Sequence, residues 1–201
     1  ILDELGIDKI HLSGISFGGF VGFEYARRYQ DRLMTLTISG ANITYEKLYD
    51  INRKNSELLL KDAPFELFAK LLYERIFSED FYIKVEPMLD NMRQKLYDRY
   101  KDRIHSLVRL IQTQELYFDN LKNKLDEFKQ IKIPTIVMGG QRDILIPEWV
   151  QKKVCDVIPN SMFISVEKTG HVVYIEKPEV YFGNMKKLMN NKNIDFKPLT
   201  K

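Results

Sequence analysis

The chain has a single cysteine, Cys155, among 201 residues. No intrachain disulfide can therefore brace it, and a reducing, cytoplasmic setting is expected. It also lacks an excess of one charge: 31 basic against 28 acidic residues leave +3, too little for a nucleic-acid or polybasic membrane-surface role. No apolar run approaches the ~20 residues that a membrane-spanning helix needs, and no basic-then-apolar segment opens the chain. Its first residue is Ile1 rather than Met, so the start is read as a cut. Glycine is missing altogether from residues 43–130, and the two prolines there, Pro64 and Pro87, each suit the first turn of a helix.

What is present is a core. A 44 % hydrophobic content spread over this length can bury a sizeable interior. Ile1, Leu2 and Leu5 repeat at helical spacing, Gly6 stands where a helix would be capped, and residues 9–12 begin a strand. Residues 13–19 read as a turn and 20–29 as a helix with Phe20, Phe23 and Ala26 on one side. Residues 33–38 form a second strand. Within 43–130, apolar residues recur three or four apart, as in Phe65, Phe68, Leu72 and in Ile104, Leu107, Val108, Ile111, which predicts consecutive helices. The 16 basic and 16 acidic residues of that stretch cancel, as expected of solvated helical faces.

Residues 133–140 read as a buried strand with Pro134 near its start, 149–158 as a helix, 162–166 as a fourth strand and 178–189 as a final helix. Residues after 190 read as a solvated polar tail. The alternation predicts an α/β fold: a parallel sheet of about four strands flanked by helices. The expected division is a core over 1–42 and 131–190, a helical insertion over 43–130 and a tail over 191–201.

Three short blocks carry chemistry. Gly14-Ile15-Ser16-Phe17-Gly18 fits G-x-S-x-G between a strand and a helix. A serine raised on so sharp a turn adopts a strained backbone, and the residues two before and two after it are expected to be small. The first amides of the following helix then face whatever binds beside the hydroxyl. A serine needs a base, and imidazole is the usual one near neutral pH. Of three histidines, His11 falls inside a strand and His105 inside a helix of the insertion, whereas His171 follows the last strand in a loop. Loops past strand C-termini are where open parallel sheets place chemistry. Asp143, just past the 133–140 strand, is the carboxylate that would orient His171; Asp156 and Glu167 are weaker candidates.

These blocks resemble a known family. Gly14-Ile15-Ser16-Phe17-Gly18-Gly19, Gly140-Gln141-Arg142-Asp143 with Pro147, and Gly170-His171 with Glu176, Pro178 and Glu179 are similar to the nucleophile, acid and histidine blocks of α/β-hydrolase fold proteins, in the same order. The resemblance implies Ser16 as nucleophile, Asp143 as acid, His171 as base, and the Phe17 amide as half of the oxyanion hole. It implies structural roles for Glu176 and Pro178, and a helical cap over 43–130. It also implies that the chain is the second half of such a protein: strands that normally precede the nucleophile strand, and a loop supplying a second oxyanion N–H, would be missing. Impaired turnover by the chain alone is expected on that basis.

The activity expected is hydrolysis of a carboxylic ester or related acyl compound through an acyl-enzyme on Ser16, with no metal or organic cofactor. Thirteen of the 24 aromatics fall within 43–130, against about ten for even scatter; so neutral and aromatic-bearing an insertion favours a small-molecule substrate with an apolar or modest-sized acyl group over a charged one. Two other readings stay open. One is transfer of the acyl group to an alcohol or thiol acceptor. The other is a non-catalytic fragment that self-associates through an open sheet edge.

Overall fold

Short segments rich in β-branched residues build the sheet. In the computed structural model, which describes residues 1–121 and 123–200, they are β1 (Ile10–Ile15), β2 (Leu33–Ser39), β3 (Thr135–Gly140) and β4 (Ser161–Val166). The strands lie side by side in chain order, and each neighbouring pair is parallel. Parallel neighbours require long crossovers. Helix α1 (Phe17–Tyr29) joins β1 to β2. Among the described residues, six α-helices lie between β2 and β3: α2 (Lys47–Asp62), α3 (Phe65–Ile76), α4 (Glu79–Val85), α5 (Leu89–Tyr100), α6 (Ile104–Leu121) and α7 (Leu125–Phe128). Two short helices, α8 (Glu148–Lys152) and α9 (Val154–Val157), join β3 to β4, and α10 (Val173–Glu176) and α11 (Pro178–Asn191) follow. The expected four-stranded parallel sheet flanked by helices is the one the chain forms.

Alternation along each strand sorts the core into two layers. Leu36, Ile38 and Val137 face one side with Phe20, Phe23 and Ala26 of α1 and with Val150 and Val154 of α8 and α9. Ile136, Met138, Ile164 and Val166 face the other side with Val180, Tyr181 and Leu188 of α11. The inserted helices are pinned to the first layer by Phe118, Leu121 and Phe128, and hold a smaller cluster of their own around Leu60, Phe65, Ala69 and Ile111. None of the described helices is long and apolar enough to cross a membrane.

Several local expectations needed correction. Residues 13–15 are strand, not turn: Ser13, Gly14 and Ile15 pair in register with Thr37, Ile38 and Ser39. The turn shrinks to Ser16, and the helix starts at Phe17 rather than at residue 20. The 149–158 helix is two short ones that meet at Lys153. Residues 1–6 form only a turn, closed by hydrogen bonds such as Leu5 N to Ile1 O and ended by Gly6 at φ 65°. The segment after α11 is not free in solvent. Ile194 and Phe196 pack on the α11 layer, Asn184 exchanges hydrogen bonds with the backbone of Leu199, and Glu167 N donates to Thr200 O.

Candidate active site

Ser16 stands between β1 and α1 with φ 52° and ψ −120°. Among the described residues only Lys168 and Lys192 share a positive φ without being glycine. Such a conformation costs on the order of 1–3 kcal/mol and persists only where its surroundings enforce it. Here Ser16 N donates to Ser39 O of β2, and Ser16 O accepts from Gly19 N, each at 2.8 Å. The tightness falls on one flanking glycine. A Cβ on Gly14 would sit 2.3 Å from Gly18 O, whereas a Cβ on Gly18 would meet nothing within 4 Å. The expectation that both flanks must be small is thus corrected at Gly18: the turn presses Gly18's backbone, not its side-chain position, against Gly14.

His171 lies in the loop between β4 and α10, with its backbone N–H bonded to Ile76 O of α3 at 2.9 Å. Its ring rests over Gly40, the residue after β2. Gly40 has φ 62°, and a Cβ there would stand 2.7 Å from His171 Cε1. The ring is held from both ends. Nδ1 is 2.9 Å from Asp143 Oδ2, and Nε2 is 3.0 Å from Ser16 Oγ. An ionised carboxylate only accepts, so Nδ1 carries the hydrogen and Nε2 is left to accept the Ser16 proton. Burial opposes the charged imidazolium, but the charge and hydrogen bond of Asp143, with Glu176 further off, outweigh it and raise the His171 pKa above its ordinary 6.5. His171 is therefore a stronger base than a free imidazole.

Asp143 is fixed more firmly than a surface turn would require. Its Oδ1 accepts the backbone N–H groups of Leu145 and Ile146, each at 2.9 Å, while Oδ2 accepts from His171 and from Gln151 Nε2 at 3.0 Å. The residues flanking it point elsewhere: Arg142 pairs with Asp80 of α4, and Glu148 accepts the Ser165 hydroxyl. His11 bonds Thr35 Oγ1 within the sheet, and His105 is exposed on α6. Strand ends thus bring Ser16, Asp143 and His171 together and leave the other two histidines away.

Two polar residues, of which sequence reading passed over Gln151, complete the frame. Gln151 of α8 is fully buried; it donates to Asp143 Oδ2 and to Ile146 O and accepts Gly40 N–H on Oε1. Glu176, read only as structural, bridges two distant segments. Its Oε1 accepts Gly170 N and Ser78 N, and its Oε2 accepts the Ser78 hydroxyl. Burial pushes the Glu176 pKa up, and these donors hold it down only in part. No sequence periodicity could have paired residue 78 with residue 176. An amphipathic pattern on α8 could have singled out Gln151, which sits beside Val150 and Val154.

Ser16 and His171 open into a cavity of about 190 Å³ beneath the inserted helices. One face of α2 (Tyr49, Asn52, Arg53, Ser56, Leu60) and one face of α6 (Leu107, Leu110, Ile111, Gln114) supply much of its wall, both at spacings of three and four. Such a volume lies below the ~300–1,000 Å³ common for drug-sized ligands. Among the described residues, no group of three or more His, Cys, Asp and Glu side chains is placed to hold a metal ion.

Residues 1–178 match the family model described as alpha/beta hydrolase fold. Among curated proteins, the chain is 25 % identical over 183 residues to a 2-hydroxy-6-oxononadienedioate/2-hydroxy-6-oxononatrienedioate hydrolase of Paraburkholderia phymatum, covering 89 % of this chain and 62 % of that protein. It is 26 % identical over 184 residues to Lipase 1 of Psychrobacter immobilis, covering 89 % of this chain and 55 % of the lipase. The chain therefore spans somewhat over half the length of these relatives. Among solved structures, MGS-M2, an alpha/beta hydrolase enzyme from a Medee basin deep-sea metagenome library, superposes with a TM-score of 0.84 at 19 % identity, over 98 % of this chain and 70 % of that one. A thermophilic esterase from Thermogutta terrifontis superposes with a TM-score of 0.73 at 22 % identity, over 96 % and 69 %. The chain belongs to the alpha/beta hydrolase fold family.

Proposed function

We propose that this chain carries the catalytic machinery of a serine hydrolase that cleaves a carboxylic ester or related acyl compound. The observation that supports it most is the unbroken hydrogen-bonded series from Ser16 Oγ through His171 to Asp143 Oδ2, at 3.0 and 2.9 Å. Ser16 Oγ attacks the acyl carbon while its proton passes to His171 Nε2, and Asp143 holds the imidazolium that forms. The oxyanion develops beside the Phe17 amide at the N-terminus of α1, where helix amides favour negative charge. Collapse of the adduct expels the alcohol, which takes the proton from His171. Water then attacks the acyl-enzyme, gives a proton to His171, and the acid leaves as that proton returns to Ser16 Oγ. Residues 43–130 serve as a cap over the acyl cavity. The activities after which the relatives are named, hydrolase and lipase among them, fit this chemistry.

Mixing the chain with a chromogenic p-nitrophenyl ester of a short acid tests the reading. A burst of p-nitrophenol of about one equivalent per chain, absent from a folded Ser16→Ala variant, is the expected result. A burst of equal size in the variant would overturn it.

A further inference from the structure

The acyl cavity is apolar at Leu60, Phe68, Leu107, Ile111, Leu145 and Ile146, yet Arg53 forms part of its wall. The Arg53 side chain is 2 % exposed, so its charge is almost wholly removed from water. Burying a cation is tolerated when its donors are paired. Arg53 is hydrogen-bonded on one side only. Its Nη2 donates to Asp50 Oδ1 at 3.0 Å and lies 3.5 Å from Glu115 Oε1. Its Nη1 is buried with no hydrogen-bond partner. The nearest anion to Nη1, Glu57 Oε2, is 3.9 Å away, and the other oxygen of Glu57 is engaged by Lys61 and Gln112.

Arg53 does not hold its carboxylates alone: Lys47 and Lys54 also pair with Asp50, and Lys61 with Glu57, all three lysines reaching out to solvent. Neutral polar neighbours, Asn52 and Ser56, line the cavity from the same helix. A buried guanidinium with one nitrogen lacking a hydrogen bond, in a wall that mixes apolar side chains with neutral polar ones, is a site for one anionic group, and guanidinium forks match carboxylates in particular.

Resting on the serine-hydrolase reading above, we infer that the acyl group this cavity takes ends in a carboxylate bound by Arg53, so that the substrates are half-esters of short dicarboxylic acids. The scissile ester lies at Ser16, the methylene chain lies along the apolar wall, and the free carboxylate completes the pairing of Arg53. The charged end departs from the expectation of an uncharged substrate; only the middle of the molecule matches the expected apolar group.

Equilibrium binding to the folded Ser16→Ala chain, which cannot turn the ligand over, tests this apart from catalysis. The ligands are the monomethyl half-esters of succinate, glutarate, adipate and suberate, each against the neutral methyl ester of the unbranched monocarboxylic acid of equal length, titrated by calorimetry. One half-ester length should bind roughly 10–100-fold tighter than its neutral counterpart, the range expected of a charge-assisted hydrogen bond. Arg53→Met should remove that advantage, and Arg53→Lys, which keeps the charge, should retain part of it. Neutral esters binding as well as half-esters at every length would overturn the inference, as would an advantage that survives in a folded Arg53→Met chain. The p-nitrophenol burst of the unaltered chain reports the Ser16 chemistry separately, so a failed burst with selective half-ester binding would count against the nucleophile and not against Arg53.

Discussion

Gln151 Nε2 lies 3.0 Å from Asp143 Oδ2 while Gln151 Oε1 accepts the Gly40 N–H at 2.9 Å, so one buried amide joins the acid loop to the residue beneath the His171 ring. The same Asp143 oxygen takes the His171 Nδ1 hydrogen. Position and tautomer of the base therefore depend on a residue that never reaches the acyl group. Replacing Gln151 by Leu leaves Gly40 N–H and one Asp143 site unpaired in the interior, at about 1–3 kcal/mol each. A thermal melt should show the midpoint falling by roughly 5–15 °C for a domain of this size. A midpoint unchanged within error would show that the amide is dispensable.

Gly40 makes a sharper test of geometry. Its φ of 62° is awkward for any other residue, and a methyl group would press on His171 Cε1 at 2.7 Å. Gly40→Ala should cost roughly 1 kcal/mol in backbone strain yet slow fluorophosphonate labelling of the chain by about two orders of magnitude, because a displaced base costs far more than the fold does. Labelling at the unaltered rate would mean that the ring has room to move.

Much of the site was legible because each of the three residues proposed to react sits just beyond a strand: Ser16 after β1, Asp143 after β3 and His171 after β4. Strand ends can be read from apolar runs and the glycines that stop them, and a parallel sheet gathers those ends at one rim. The four strands were legible for the same reason. What escaped reading depended on packing between distant segments. Ser13, small and polar, looked like turn, but its pairing with Thr37 and its hydroxyl contact with Tyr181 at 2.7 Å make it strand. Asn193, Asp195 and Lys197 made the last segment look solvated, while Ile194 and Phe196 between them decide where it lies. Arg53 could be read only as one more charge in a balanced stretch until α2 was seen to turn it inward.

Glu176 ties the loop that carries His171 to the start of α4. It takes Gly170 N on one side and Ser78 on the other, and His171 N bonds Ile76 O two residues before Ser78. Ser78→Ala removes one donor to a half-buried carboxylate and the side-chain cap of α4. It should destabilise the chain by about 1–3 kcal/mol and increase amide exchange at residues 170–172 and 76–81 together. Faster exchange at one segment alone would argue against the link.

The raised pKa of His171 sets the pH dependence. Only the neutral ring can accept the Ser16 proton, so labelling should be slow in acid and rise through a midpoint above 6.5, the ordinary histidine value. Asp143→Asn deletes the charge that raises the pKa. The midpoint should then move down, and the plateau rate should fall by about 10⁴, as when a triad carboxylate elsewhere is replaced by its amide. A midpoint that stays in place would separate Asp143 from the titration of His171.

The position at which a fluorophosphonate probe bonds to the chain is the most direct measurement. Peptide mapping by mass spectrometry should find the adduct on Ser16, at one equivalent, with none formed by folded Ser16→Ala or His171→Ala chains. An adduct on another serine or on a tyrosine, or equal labelling of the Ser16→Ala chain, would contradict the assignment of Ser16 as the nucleophile.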